Sequence, residues 1–409
     1  MTSPPHRRIL PRLEDTAPPR QPPPLSEDLL EDILLRVASP VDLARATATC
    51  RSFRRIITNP SFQRQYRSLY PRLLLGILCN GIQPAVAPHP NAPAARSLAN
   101  AAGAGFSFEN YLPGDLWQRC WLIEGCYSCD VRDGRLLLER LLVDEDSVIF
   151  PELAVCDPVY WSFRLLPPIP EELIAYAQVQ DDKTRLFEAF LVPSGQEGTS
   201  FKVIGRTHWN ERLVVFIFSS DSNLWSLGAS TTWVDLGLSA APPNFILGWP
   251  QYEHGCFYWK VNRRNKLLKL DMDRMEFSTV NLPPGNNGRE VVIVEPGEGK
   301  LGMFSLTRDG RDVHYFTSMK SKAEEIEASE WLVENTIPLP CNCNIVGAFE
   351  GYIFLQGVET HQGRVEAACY SLEIKTLKIE RVNSINYLYV HIHPYFGYPP
   401  FMSPRMIEM

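Results

Sequence analysis

Three short spacings in this sequence bring together residue types that could do chemistry. Cys126-Tyr127-Ser128-Cys129 is a C-x-x-C pair, Cys341 and Cys343 are separated by one residue, and so are His391 and His393. Thiolate and imidazole bind zinc, but a structural zinc site takes four ligands, usually as two paired spacings on tight turns. Here one such pair stands alone and the other two follow more than two hundred residues later. The expectation is buried thiols and strand histidines, with no metal and no cofactor. The ten cysteines are scattered, in the manner of free thiols in a reducing compartment, which points to cytoplasm and/or nucleus. No G-x-S-x-G, H-E-x-x-H or phosphate-binding glycine loop is present. His208 beside Trp209, and His254 near Trp259, could line a pocket, but in strands such residues more often fill a core. No catalytic set emerges.

The composition limits the frame that could position these residues. Of 409 residues, 45% are hydrophobic and 21% charged, with 47 acidic against 40 basic side chains and a formal net charge of -7. That hydrophobic share can bury a core, and at roughly 100–200 residues per domain the length implies two or three domains, or one large β domain with an appendage. The mild acidity gives no whole-chain attraction to phosphate, so a nucleic-acid binder is not expected. No run of about 18 apolar residues occurs, so neither is a membrane-spanning helix. Prolines number 34 against 25 glycines, well above the usual roughly 5%. Long helices cannot carry that many. Residues 1–24 hold eight prolines and no apolar stretch, and read as a disordered leader rather than a secretory signal.

Ser26 to about Tyr70 is the convincingly helical region. Ser26 is a good N-cap, and Glu27 and Asp28 follow at the positive end of the helix dipole. Leu29, Leu30, Ile33, Leu34 and Val37 recur at helical spacing. Ser39-Pro40 breaks that run, and Asp42 opens a second helix carrying Leu43, Ala46 and Cys50. Phe53, Ile56 and Ile57 continue it to Asn59-Pro60, and a third helix spans Phe62 to Leu69. Three helices in about 45 residues make a small core, so the apolar surface left over is expected to seek a partner.

From Leu73 the texture changes to apolar segments of five to eight residues, punctuated by proline and glycine and often alternating with period two. Pro84 to Gly105 reads as a long surface loop, and Lys320 to Glu330 as a charged insert. A turn residue followed by an apolar strand recurs at Glu211-Arg212-Leu213-Val214, Gly255-Cys256-Phe257-Tyr258, Gly299-Lys300-Leu301-Gly302 and Gly351-Tyr352-Ile353-Phe354, in steps of 44, 44 and 52 residues. Hairpins accompany them at Leu268–Leu282 and Tyr370–Val382, with an earlier copy at Ala154–Leu166. Several returns end in Leu-Pro: Leu166-Pro167, Leu282-Pro283 and Leu339-Pro340. A proline there stops a strand as it leaves the sheet. A unit of about 40–50 residues with four strands is the period of a propeller blade. The stretch 71–395 accommodates six or seven degenerate blades; an irregular β-sandwich or two small β domains are the competing folds.

The helical segment resembles an F-box. The residues that carry the likeness are Leu25-Ser26-Glu27-Asp28-Leu29-Leu30-Glu31-Asp32-Ile33-Leu34, then Pro40-Val41-Asp42-Leu43, then Cys50-Arg51-Ser52-Phe53-Arg54 and Asn59-Pro60-Ser61-Phe62. Serine stands at 26 where the family usually has proline, and phenylalanine at 53 where it often has tryptophan. The remainder is similar to the β-propeller region of plant, especially grass, F-box proteins, through Leu270-Asp271-Met272-Asp273-Arg274-Met275-Glu276-Phe277, Leu282-Pro283-Pro284-Gly285 and Glu298-Gly299-Lys300-Leu301-Gly302-Met303-Phe304-Ser305-Leu306.

The resemblance implies an α+β multidomain chain: a disordered leader over 1–24, a small three-helix F-box over 25–70, an all-β propeller over 71–395 and a tail over 396–409. It implies the substrate-recognition subunit of an SCF-type ubiquitin ligase, non-catalytic itself. The F-box would dock a Skp-type adaptor and, through it, a cullin, and the propeller would hold an unknown protein target. Leu25, Leu29, Leu30, Ile33, Leu34, Val37, Leu43, Cys50 and Phe53 are the expected adaptor-binding set, some of them necessarily the module's own core. Arg51, Arg54 and Arg55 could meet acidic adaptor surface. A scaffold without a role in ubiquitination, or a propeller-fold enzyme, are the alternatives the sequence leaves open.

Overall fold

The computed structural model describes residues 25–70, 72–78, 82–101, 126–140, 150–157, 162–176, 186–193, 200–208, 212–238, 247–297, 300–318, 330–361, 364–385 and 392–398. The expected leader, the insert at 320–329, the tail beyond 398, Trp209 and His391 lie outside them.

The N-terminal module holds four helices rather than three: α1 (Glu27–Leu35), α2 (Pro40–Thr49), α3 (Arg51–Ile57) and α4 (Pro60–Leu69). Ser26 caps α1, its hydroxyl accepting from the Leu29 amide at 3.3 Å. Ser39 and Asn59 cap α2 and α4, so Pro40 and Pro60 are first residues of helices. Proline is at home there, because its φ is preset and the amide it lacks would have had no intrahelical partner. Cys50 is extended, at φ -143° and ψ 134°, and this one residue divides the expected second helix into α2 and α3. Leu34, Leu35, Leu43, Ile56, Ile57, Phe62 and Tyr66 form the module's core. The hydroxyls of Tyr66 and Tyr70 donate to the carbonyls of Val37 and Leu35, which satisfies the end of α1.

The rest is a six-bladed β-propeller. Blade I is β3 (Cys126–Arg132), β4 (Arg135–Arg140), β5 (Glu152–Asp157) and β6 (Ser162–Leu165); blade II is β7 (Leu186–Val192), β8 (Lys202–His208), β9 (Arg212–Ser219) and β10 (Leu224–Thr232). Blade III is β11 (Gln251–Glu253), β12 (Cys256–Lys260), β13 (Lys266–Asp271) and β14 (Glu276–Asn281); blade IV is β15 (Val291–Val294), β16 (Gly302–Leu306), β17 (Asp312–Ser318) and β18 (Trp331–Pro338). Blade V is β19 (Asn342–Phe349), β20 (Tyr352–His361), β21 (Arg364–Glu373) and β22 (Ile379–Ile385). Blade VI is three-stranded and joins both ends of the domain: β1 (Leu73–Leu78) and β2 (Ile82–Pro84) pair with β23 (His393–Gly397). Its register runs from Leu73 opposite Gly397 to Leu78 opposite His393. The last strand thus ends two residues beyond the expected boundary at 395.

Each blade interface has its own apolar cluster, and the six clusters close the ring. Leu137, Val155, Val214 and Phe216 fill I–II; Leu213, Val215, Phe257 and Trp259 fill II–III; Tyr258, Leu267, Ile293 and Met303 fill III–IV. Val292, Phe304, Ile353 and Leu355 fill IV–V; Phe354, Cys369, Leu74 and Phe396 fill V–VI; Leu75, Tyr395, Val131 and Leu136 fill VI–I. The run Leu213-Val214-Val215-Phe216 is therefore apolar throughout because alternate residues serve two neighbouring blades. The three Leu-Pro pairs do follow the outermost strands β6, β14 and β18. Two expectations change. The segment 84–105 contains a helix, α5 (Ala92–Ala101), whose Ala94 and Ala95 are buried against blade VI. The recurrence at 211 falls on the third strand of its blade, whereas those at 255, 299 and 351 precede or enter second strands. Both strands are buried on two faces, so their sequences look alike. One further short helix, α6 (Glu171–Tyr176), links blades I and II.

Candidate functional site

The helical module divides the nine candidate docking residues into three groups. Leu34 and Leu43 are buried in its core. Leu30, Val37 and Phe53 are half-buried against that core, and Cys50 is half-buried at the α2–α3 break. Leu25, Leu29 and Ile33 remain 55%, 52% and 49% exposed. Leu29 and Ile33, spaced i, i+4, share one face of α1, about a quarter turn from the Leu30–Leu34 face that points inward, and Leu25 stands just before the Ser26 cap of that helix. Charge borders these residues. Arg55 of α3 pairs with Glu27, and Arg54 Nε donates to the Thr47 carbonyl at 3.2 Å, while Arg51 is exposed. The amides of Phe53 and Ser52 hold the Cys50 thiol below its usual range.

The module is fastened to the propeller at the seam of the ring. The Tyr398 hydroxyl, immediately after β23, donates to the Tyr70 carbonyl at 2.8 Å, and its ring lies in the helical core. Val41 of α2 packs into the VI–I cluster. Arg72, between α4 and β1, reaches Asp133 at 2.7 Å and Glu350 at 2.9 Å.

Asp133 and Glu350 belong to a second feature, a cavity of about 210 Å³ at the axial end where the innermost strands finish. Arg132, Asp133, Tyr252, Glu253, Phe349 and Glu350 line it. Three of the hairpins between first and second strands use one turn design. Asp133-Gly134, His254-Gly255 and Glu350-Gly351 all have positive φ at both residues, the conformation of a type I′ turn, which glycine adopts freely. The design sets polar side chains around the mouth. His254 Nδ1 lies 3.8 Å from Glu295. Arg132 lies between the rings of Phe257 and Phe349, at 5.6 and 5.7 Å, with Nε 2.8 Å from Asp130. Burial and then the nearby Glu295 push the Glu253 carboxyl up to about 8. Of this ring only His254 is among the sequence-based candidates, as a residue that could line a pocket; the X-Gly turn preceding three of the second strands was the signal for the rest.

Of the residues considered for catalysis, only His254 stands at this mouth. His208 is buried with its ring edge-on to Trp233 at 5.7 Å. Trp259 is fully buried under the Arg206 guanidinium at 4.8 Å. Cys126 and Cys129 lie on β3 of blade I, and His393 packs against Trp249 of the loop before blade III. Among the described residues, no group of three or more His, Cys, Asp and Glu is placed to hold a metal ion. Among the described residues, no helix is long and apolar enough to cross a membrane.

No protein-family model and no curated protein sequence matches the chain. Solved structures do resemble it. An exo-β-1,3-galactanase from Phanerochaete chrysosporium is 10% identical with a TM-score of 0.33, over 61% of this chain and 60% of that one. A prolyl endopeptidase is 12% identical with a TM-score of 0.34, over 66% and 36%. The Aleuria aurantia lectin is 10% identical with a TM-score of 0.34, over 64% and 78%. The chain thus spans less than two thirds of the length of each of the first two. At these values the likenesses carry no functional argument, and the propeller assignment rests on the sheet topology itself.

Proposed function

We propose that this chain is the target-receptor subunit of an SCF-type ubiquitin ligase, with α1–α4 docking a Skp-type adaptor and the propeller holding a protein target. One observation carries the reading: Leu29 and Ile33 on α1, and Leu25 just before it, are half-exposed on a module whose other large apolar residues are mostly committed to its core. Fully burying a large apolar side chain is worth about 1.5–3 kcal/mol, so covering the exposed half of three returns roughly 2–4 kcal/mol to whatever partner covers them. The F-box-like spacing of the same residues says what kind of partner that is. On this reading the transfer chemistry resides in other subunits, and the chain itself supplies binding. The axial mouth, where loops gather on a rigid scaffold, is the natural place for a target.

The test is reconstitution. Full-length chain mixed with a Skp-type adaptor should elute as a one-to-one complex, and adding cullin should give a ternary assembly by light scattering. Separate elution of chain and adaptor at micromolar concentrations would end the adaptor assignment. Adaptor binding without any cullin assembly would leave docking but remove the ligase role.

A further inference from the structure

The Cys341-x-Cys343 motif is unused by the function proposed above. Cys341 lies just before β19 and Cys343 just inside it. Residues i and i+2 of extended backbone point to one face, and here the two Sγ atoms lie 3.6 Å apart. They rest over Gly357 of β20, which is the ladder partner of Cys343. A Cβ at Gly357 would overlap the Cys341 sulfur and come within 2.8 Å of the Cys343 sulfur. The backbone at Gly357 is not left-handed, so it is the two sulfurs, and no turn, that require glycine there.

The two thiols differ in access. Cys343 is buried in the IV–V interface at 1% exposure, whereas Cys341 is half-buried. The Cys341 thiol donates to the Tyr370 hydroxyl at 3.8 Å, Tyr370 donates to Glu359, and Arg381 pairs with Glu359 at 3.2 Å. Burial and the adjacent sulfur raise the Cys343 thiol above its usual range. One sulfur is therefore reachable, and the other is held in contact behind it.

We propose that Cys341 and Cys343 form a dithiol–disulfide couple, oxidised by thiol–disulfide exchange with a low-molecular-weight disulfide. The Cys341 thiolate attacks one sulfur of RSSR, forming Cys341–S–S–R and releasing RS⁻, which takes up a proton. Cys343 then loses its proton to solvent and attacks the Cys341 sulfur, expelling the second RS⁻. Two protein thiols and RSSR become one protein disulfide and two RSH: the cysteines are oxidised and the small disulfide is reduced. Access fixes the order, with Cys341 reacting first and Cys343 resolving.

The experiment uses the full chain equilibrated with reduced and oxidised glutathione at set ratios, quenched in acid, alkylated and digested. The peptide carrying both cysteines should become lighter by two hydrogens and resist alkylation until reduced. Its oxidised-to-reduced ratio should scale with oxidised glutathione over the square of reduced, a tenfold change per about 30 mV. Cys343→Ser should trap a glutathione adduct on Cys341, and Cys341→Ser should leave Cys343 unmodified. The proposal is overturned if both sulfurs of the folded wild-type chain stay alkylatable at every ratio. It is equally overturned if folded Cys343→Ser gains no more adduct at position 341 than at buried Cys156. Should Cys343→Ser fail to fold, the wild-type titration decides alone.

Discussion

Replacing Leu29 and Ile33 by alanine tests the docking face at its centre. Both side chains are about half exposed, at 52% and 49%, so truncation removes little packing from the module and should cost it under about 0.5 kcal/mol of stability. In a complex that covers them, the lost burial is roughly 0.75–1.5 kcal/mol each, or about 1.5–3 kcal/mol for the pair. At 1.4 kcal/mol per decade this is a rise in Kd of about tenfold to a hundredfold. Calorimetric titration of the folded full-length double variant with a Skp-type adaptor gives Kd directly, and a thermal melt confirms that the module is intact. Leu34 and Leu43 are the necessary contrast. They are 5% and 0% exposed, so alanine there should cost about 2–5 kcal/mol of stability, and binding lost with them reports unfolding. A Kd unchanged within twofold in the Leu29→Ala, Ile33→Ala variant would refute the assignment of this stripe as the docking surface.

Two further outcomes are expected of the propeller. Arg206 is fully buried between Phe190 and Trp259 and paired with Glu188, which keeps 30% exposure. Arg206→Ala should lower unfolding free energy in urea by about 3 kcal/mol, the low end for breaking a buried pair because Glu188 retains solvent; a loss under about 1 kcal/mol would contradict the burial. Glu253 titrates at about 8 in the folded chain, raised first by burial, against roughly 4.3 when unfolded. The folded state thus binds the proton more tightly, and stability falls as pH rises from about 4.3 to 8. Glu253→Gln should flatten that slope, with its stability advantage present at pH 8 and vanishing below about pH 4.3; parallel melting curves of variant and wild type across that range would show that Glu253 does not carry it.

The blades were legible because their strands are buried twice. Residues such as Val214 and Leu213 serve opposite interfaces, so each strand reads as a short apolar run closed by a turn, and such runs recur. The blade count was less legible, for two physical reasons. The innermost strand of blade III is three residues long, and blade VI is assembled from strands more than three hundred residues apart. A periodicity along the chain does not register a pairing between its ends. The helix break at Cys50 was hidden as well, because one extended residue leaves the apolar spacing of its neighbours intact. Leu29 and Leu30 show the limit at the proposed docking face. Both are leucines on the same helix, and only the packing of α1 against the rest of the module decides which of them points inward.

The closure of the ring also bears on how the two surfaces are related. Tyr70 precedes the first strand by three residues and Tyr398 directly follows the last, and they meet through a hydrogen bond of 2.8 Å because β1 and β23 are paired. The same pairing brings Arg72 within reach of Asp133 and Glu350 at the axial mouth. Burial works against the charge of that guanidinium, but the two carboxylates outweigh it and raise its pKa. The helical module is therefore attached at the seam where the two ends of the propeller pair, with contacts on α2, α4 and the strand ends. For a receptor in the proposed sense this placement has a direct consequence. A partner bound to the α1 stripe and a target bound at the mouth would be held in a fixed relation by the fold itself, without a flexible linker between them to set their distance.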